Sequence, residues 1–392
     1  MNHSLLPDKL YYDIVVSNLS SETATPPVAY FNETRNMPYI YNPSEYYFSI
    51  VRFTLDTASL PSFIPTIQEN QGNRDLTIYK ITLDYKDPAT LVNFSHTQTI
   101  LFEPQDKFAP LPLPPNQTIN GLQYNGGGYY LIYNLSFWIF LVNKALVSCF
   151  NALDALVIAG GSALPAGSVA PVMTWDTTKQ VAILNFAFPQ YSSTTADPIR
   201  MYMNGALYQL FNSFPAFLDS LNVSQTVKLV EILTDDLGNG NLGFFPPVAS
   251  PLSVPPIVQY PSIAVYQEYS TLASFNPVSS IVFTSNTLPI VANILSAPVI
   301  FIGGLPYPTG QNANIANVIT DFVSDNGQYK PNIVYNPTAQ FRLAELLGNK
   351  PLTNLDIGIF WKDRLGELNP FRLYSGATVS IKILFTKKDI PY

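Results

Sequence analysis

Apolar and polar side chains alternate along most of this chain, and proline punctuates the runs. Residues 10–18 place Tyr12, Ile14 and Val16 on one face. Residues 46–56 place Tyr47, Val51, Phe53 and Leu55 together. Residues 76–85 set Tyr79, Ile81, Leu83 and Tyr85 against Lys80, Thr82 and Asp84. Near the C-terminus Leu355, Ile357, Ile359 and Trp361 alternate with Asp356, Gly358 and Lys362, with Phe360 breaking the polar side. Val379, Ile381, Ile383 and Phe385 alternate with Ser380 and Lys382. A period of two marks half-buried strands. Shorter runs predict further strands at 100–103, 181–188, 226–233, 263–268, 279–285, 298–302 and 315–323. The 34 prolines, where average usage would give about 20, cut strands short and stiffen loops. The fold class is mainly β, a sandwich or barrel.

Two stretches interrupt this pattern. Residues 108–128 contain Leu111-Pro-Leu-Pro-Pro115 and Gly126-Gly-Gly128, and residues 238–261 contain six prolines, among them Pro246-Pro247 and Pro255-Pro256. Such segments suit crossings between modules. Between them 130–156 predicts a long helix and 204–211 a second. The economical organisation is a β domain from 1–124 and 244–392, with a partly helical module, 125–243, inserted. Residues 129–156 form the longest apolar region. Ser136, Asn143, Lys144, Asn151 and Asp154 recur on one face of it, which predicts an amphipathic helix packed on protein and no membrane span. The N-terminal residues lack a basic region and an apolar stretch, so no signal peptide is expected.

The search for chemistry finds little. His3 and His96 have no second histidine at metal-binding spacing, and His96 falls in a segment read as a polar turn. Gly160-Gly-Ser162-Ala-Leu164 resembles a nucleophile elbow but ends in Leu, and reads as a small-residue loop after a helix. Gly126-Gly-Gly128 lacks the Lys-Ser/Thr of a phosphate loop. Cys149 is the single cysteine, placed inside the predicted helix, and reads as a buried structural thiol. Asp235-Asp-Leu-Gly-Asn-Gly-Asn241 has oxygen ligands suited to calcium but lacks the spacing and closing Glu of an EF-hand, so a polar turn is its plainer meaning. The expectation is no catalysis, no metal and no cofactor.

Composition then points to assembly. Charged residues make up 12% of the 392 residues, where roughly 25% is usual, while 24 Tyr and 25 Phe bring the hydrophobic share to 47%. A free monomer of this size needs a charged coat, so neighbouring subunits are expected to cover much of the surface. The net charge of −7 and the lack of a basic tail argue against sequence-specific nucleic-acid binding. The densest basic cluster is Lys382, Lys387 and Lys388, on or just after the last strand. It is either a patch facing inward in a shell, toward internal components, or an ordinary guarded strand end.

One resemblance sharpens this reading. Residues 343–352, Leu355-Asp-Ile-Gly-Ile-Phe-Trp-Lys-Asp363, Gly366-Glu-Leu-Asn-Pro-Phe-Arg-Leu373 and 376–388, with 46–55 and 275–289, resemble jelly-roll capsid proteins of tailless icosahedral double-stranded DNA viruses. The resemblance is to minor, vertex (penton-type) capsid proteins of the virophage, Polinton-like and adenovirus-like group. It implies a jelly roll carrying an inserted module, a structural role in the virion, assembly inside the host cell, and partners that are further copies of the chain, as a homopentamer, and neighbouring major capsid proteins. Two other readings stand beside it. A major capsid protein with two jelly rolls would show two similar strand series. A carbohydrate-binding or glycan-cleaving β protein would use Tyr or Trp as stacking platforms; of the three Trp, Trp138 and Trp361 fit core-facing positions.

Overall fold

A computed structural model describes residues 8–20, 26–68, 73, 75–105, 118–119, 122–123, 130–218, 230–232, 234, 240–244, 261–291, 293–294, 299–302, 305–308, 315–323, 332–336, 342–364, 366 and 368–388. The chain divides into two compact units. The first comprises Met1–Ser62, Ile119–Leu122 and Asn276–Tyr392, and the second comprises Phe63–Thr118 and Gln123–Phe275.

Eight strands build the first unit: β1 (Lys9–Ser17), β2 (Tyr30–Thr34), β3 (Tyr46–Asp56), β4 (Val278–Thr284), β5 (Val318–Phe322), β6 (Asn332–Tyr335), β7 (Asn354–Asp363) and β8 (Thr378–Lys387). They form two antiparallel sheets, ordered β1-β8-β3-β6 and β2-β7-β4-β5. Successive strands switch between the sheets, except that β4 and β5 pair within one sheet, which is the two-Greek-key jelly roll. The alternating apolar residues read from the sequence point into the space between the sheets. Phe53 of β3 reaches Phe283 of β4 (ring centroids 5.0 Å apart) and Phe322 of β5 (4.9 Å). Leu355, Ile357, Ile359 and Trp361 of β7 and Val379, Ile381, Ile383 and Phe385 of β8 are all buried.

The expected face of β3 holds only in its second half. Opposite β8, Lys382 pairs with Arg52 and Ile383 with Ile50, so Val51 is an extra residue. Such a bulge shifts the alternation by one. Phe53 and Leu55 stay inside as expected, but ahead of the bulge the core residues are Tyr46, Phe48 and Ile50, and Tyr47 turns outward. Phe48 packs on Phe385, with ring centroids 5.2 Å apart.

The second unit places a long helix, α1 (Leu135–Ala159), against two antiparallel sheets. One sheet runs Ala216–Leu218, Val230–Ile232, Arg200–Met203, Leu76–Lys86, Asn93–Leu101. The other runs Gly240–Phe244, Pro261–Tyr266, Val181–Ala187, Val172–Asp176. Among the described residues neither order repeats that of the first unit. The helix begins later than its apolar run because the Asn134 side chain caps it, accepting from Phe137 N at 2.8 Å. By length and composition α1 could cross a membrane, yet Trp138, Leu141, Leu146, Cys149, Leu153 and Val157 sit in the core of the unit. Of its polar stripe, Asn143 exchanges two hydrogen bonds with the backbone of Met173 (2.7 and 2.8 Å), and Lys144 pairs with Glu103. A short second helix, α2 (Gly205–Leu210), follows Asn204, whose Oδ1 accepts from Leu207 N at 3.2 Å and from Lys80 N at 3.0 Å.

The unit borders therefore differ from the expected junctions at 124/125 and 243/244. Leu76–Lys86 looks like any other strand in sequence, but it pairs with Arg200–Met203 on one side and with Asn93–Leu101 on the other, and both strands pack on α1, so they belong to the second unit. Most of 108–128 and 238–261 lies outside the described residues, as does 235–239 of the calcium-like loop. His96 is not in a turn: it lies inside Asn93–Leu101, opposite Leu83.

Candidate assembly surface

The outer face of the β1-β8-β3-β6 sheet carries exposed apolar side chains. Along β1 the core-facing residue Ile14 is buried, while Tyr11 (49% exposed) and Val15 (63%) face outward. Val334 on β6 adds another exposed apolar side chain. Asp13, between Tyr11 and Val15, receives both Arg52 (3.6 Å) and Lys382 (3.5 Å), and the Lys382 ammonium sits 5.5 Å from the centre of the Tyr11 ring. Apolar rings among internally matched charges suit contact with another protein surface.

The three C-terminal lysines do not form a free cluster. Lys382 holds Asp13, Lys387 holds Asp8 (3.6 Å), and Lys388 holds Glu345 (2.6 Å) while donating to Leu346 O (3.3 Å) and lying 5.5 Å from the Tyr47 ring centre. Lys382 is on the outward side of β8, whereas Lys387 ends the strand on the side of Ile383 and Phe385. They are five positions apart along the strand, roughly 17 Å.

Two polar clusters that sequence reading missed hold this unit in shape. Tyr12 on β1 and Tyr39 both donate to the Glu33 carboxylate on β2, Tyr39 at 2.5 Å. Arg35 donates to Tyr12 OH at 2.9 Å, pairs with Glu33 at 3.4 Å, and lies over both rings, 4.8 and 4.7 Å from their centres. The cluster fastens the edge strand of one sheet to the edge strand of the other. Partial burial, followed by hydrogen bonding to Glu33, raises the pKa of Tyr39, and the phenol bonds lower that of Glu33. The second cluster centres on Asp356 of β7, which is fully buried. Its carboxylate accepts from Ser285 Oγ (2.6 Å), Asn286 N (2.9 Å), Thr287 N (2.8 Å), Thr287 Oγ1 (2.7 Å) and Tyr30 OH (2.8 Å). Burial alone would raise its pKa; the bonds from Ser285, Thr287, Tyr30 and Asn286 outweigh that and bring it down to about 2. The alternation had marked Asp356 only as a polar-face residue; the turn after β4 folds over it.

In the second unit Cys149 is buried, with Sγ 3.3 Å from His96 O, and burial pushes its thiol up to about 12. It is a packed side chain, as the sequence indicated. Ser162, in the small-residue loop after α1, donates to Asp87 at 2.5 Å. This and the bond from Thr90 Oγ1 (2.6 Å) hold the Asp87 carboxyl down near 2. Among the described residues, no group of three or more His, Cys, Asp or Glu could hold a metal ion.

The sequence model of the Sputnik minor capsid protein V18/19 family matches residues 10–387. The chain belongs to this family. It is 32% identical to the uncharacterised protein V18 of Sputnik virophage over 152 residues, 38% of this chain and 87% of V18. It is 26% identical to the structural protein V19 of the same virophage over 208 residues, 51% of this chain and 86% of V19. A chain in the electron cryomicroscopy structure of the Sputnik virophage superposes with a TM-score of 0.78 at 26% identity, over 98% of this chain and 99% of that one. The mavirus penton protein shares the fold, with a TM-score of 0.61 at 13% identity over 97% of this chain and 100% of that one. A minor capsid protein is a structural part of the virion, not an enzyme.

Proposed function

We propose that this minor capsid protein is the vertex subunit, a homopentamer set among major capsid proteins. The likeness to the mavirus penton protein over 97% of the chain carries the reading, because both units are matched rather than the jelly roll alone. The exposed Tyr11, Val15 and Val334 side chains support it, since apolar side chains interspersed with matched charges suit burial against another subunit. Closed five-fold rings of the 43.4-kDa chain are expected by mass photometry and in negative-stain micrographs. A stable monomer across micromolar concentrations would refute the assembly, and trimers would refute the vertex role.

Lys382, Lys387 and Lys388 are proposed to guard the end of β8 within the subunit. Their ion pairs with Asp13, Asp8 and Glu345 favour this over a patch directed at internal components, which would first have to release those carboxylates. Exposed pairs of this kind contribute about 0–1 kcal/mol each. The triple Lys→Ala variant is expected to assemble and retain internal components as the wild type does. Weaker retention than the wild type at low salt would restore the inward-facing patch.

A further inference from the structure

The second unit carries a cleft. It lies on its five-stranded sheet, on the face turned away from α1. Ile81, Leu83, Met201 and Met203 enter the core with the helix. The residues alternating with them, Asp84, Arg200 and Tyr202, face the other way and line a cleft of about 300 Å³ together with Lys86, Asn93 and Asp197. A second cleft of about 360 Å³ adjoins it, with walls that include Ser193, Thr195, Thr234, Glu231 and Phe217. Arg200 and Pro198 line both, so the two are lobes of one groove. Strand pairing fixes the arrangement: Arg200 lies opposite Asp84, Tyr202 opposite Glu231, and Phe217 opposite Glu231 from the far side.

The chemistry of this groove is specific. Asp84, Asp197 and Glu231 stand against Lys86 and Arg200, so acids and bases nearly cancel and no anion is favoured. The Arg200 guanidinium already pairs with Glu231 at 3.7 Å. Amide, hydroxyl, carboxylate and guanidinium groups alternate along the walls, offering donors and acceptors in close succession. At one end the Phe217 ring is 65% exposed, an apolar plate beside a polar wall. An extended peptide is a poor match, since strand addition uses a sheet edge and this groove runs across a sheet face without deep apolar pockets. We propose that the groove binds a neutral oligosaccharide. Its hydroxyls would bond to Asp197, Asn93 and Arg200, and the face of one ring would stack on Phe217. The two lobes suit more than one sugar residue. This gives the second unit a recognition role of its own, independent of how many copies the first unit assembles.

The test uses the purified full chain and saturation-transfer NMR. Maltotetraose, chitotetraose and mannotriose are the neutral probes, with 3′-sialyllactose and a heparin tetrasaccharide as anionic ones. At least one neutral probe is expected to receive saturation. Phe217→Ala and Asp197→Asn are each expected to weaken its binding about tenfold while leaving the melting temperature and oligomeric state unchanged. Phe217 is exposed and Asp197 half-buried, so loss of folding is not expected. The proposal is overturned if no neutral probe binds, if only the anionic probes bind, or if both variants bind like the wild type.

Discussion

The rings of Phe53 and Phe283 lie 5.0 Å apart, although the second unit, 63–275, falls between them in sequence. One belongs to the third strand of the jelly roll and the other to the fourth, so the insertion occupies the connection between two strands that face each other across the core. Closing so long a loop costs little more than closing a short one, because the entropy grows only with the logarithm of its length. A shell domain can therefore carry a whole second unit at this point.

Phe53→Ala should be among the most damaging single changes in the first unit. Its ring touches Phe283, Phe322 and Tyr335, and removing a buried Phe typically costs about 3–5 kcal/mol. Urea denaturation should show a lower midpoint for the transition of the jelly roll. An unchanged midpoint would mean that the two sheets do not depend on this contact.

Replacing 63–275 with a short Gly/Ser linker should leave a folded β domain. All eight jelly-roll strands lie outside that range, and β1 pairs with β8 along its whole length, from Lys9 opposite Thr386 to Ser17 opposite Thr378. Amide exchange should protect both strands in the shortened protein. Rapid exchange throughout would show that the second unit is needed to fold the first.

Asp356 predicts an acid-dependent step in stability. Its folded pKa, about 2, is below the unfolded value of about 3.9. The carboxylate therefore contributes fully above roughly pH 4, and the contribution is lost as pH falls through about 2. The size is on the order of 2 kcal/mol. Asp356→Asn should flatten the stability profile between about pH 4 and 2. It should also destabilise at neutral pH by about 1–3 kcal/mol, because donors aimed at a charge lose their acceptor. A profile identical to the wild type would remove Asp356 as the clamp.

The Cys149 thiol should resist alkylation in the folded protein. Its pKa of about 12 and its burial leave almost no accessible thiolate at pH 8. Labelling by iodoacetamide, read by mass spectrometry, should become fast only in denaturant. Rapid labelling of the native chain would show that the interface between α1 and its sheet opens.

The sequence determined the material of the structure. Period-two alternation marked β1, β3, β7 and β8 almost to the residue, because one face of each is buried and the pattern is local. The apolar run marked α1 for the same reason, although its start at Leu135 came from the Asn134 cap, and the shortage of charge marked a protein made to be covered. Tertiary structure alone decided the rest. The border at Phe63 was invisible, since Leu76–Lys86 carries the same alternation whichever sheet it joins, and its partner Arg200–Met203 is more than a hundred residues away. The bulge at Val51 shifted the inward face of β3 by one residue, a matter of pairing rather than composition. Asp356 read as an ordinary polar-face residue, and Lys382, Lys387 and Lys388 as a basic cluster, until folding supplied their partners. Whether a charge is a free patch, a clamp or one side of an ion pair depends on groups within a few ångströms, and the linear order of residues does not contain that distance.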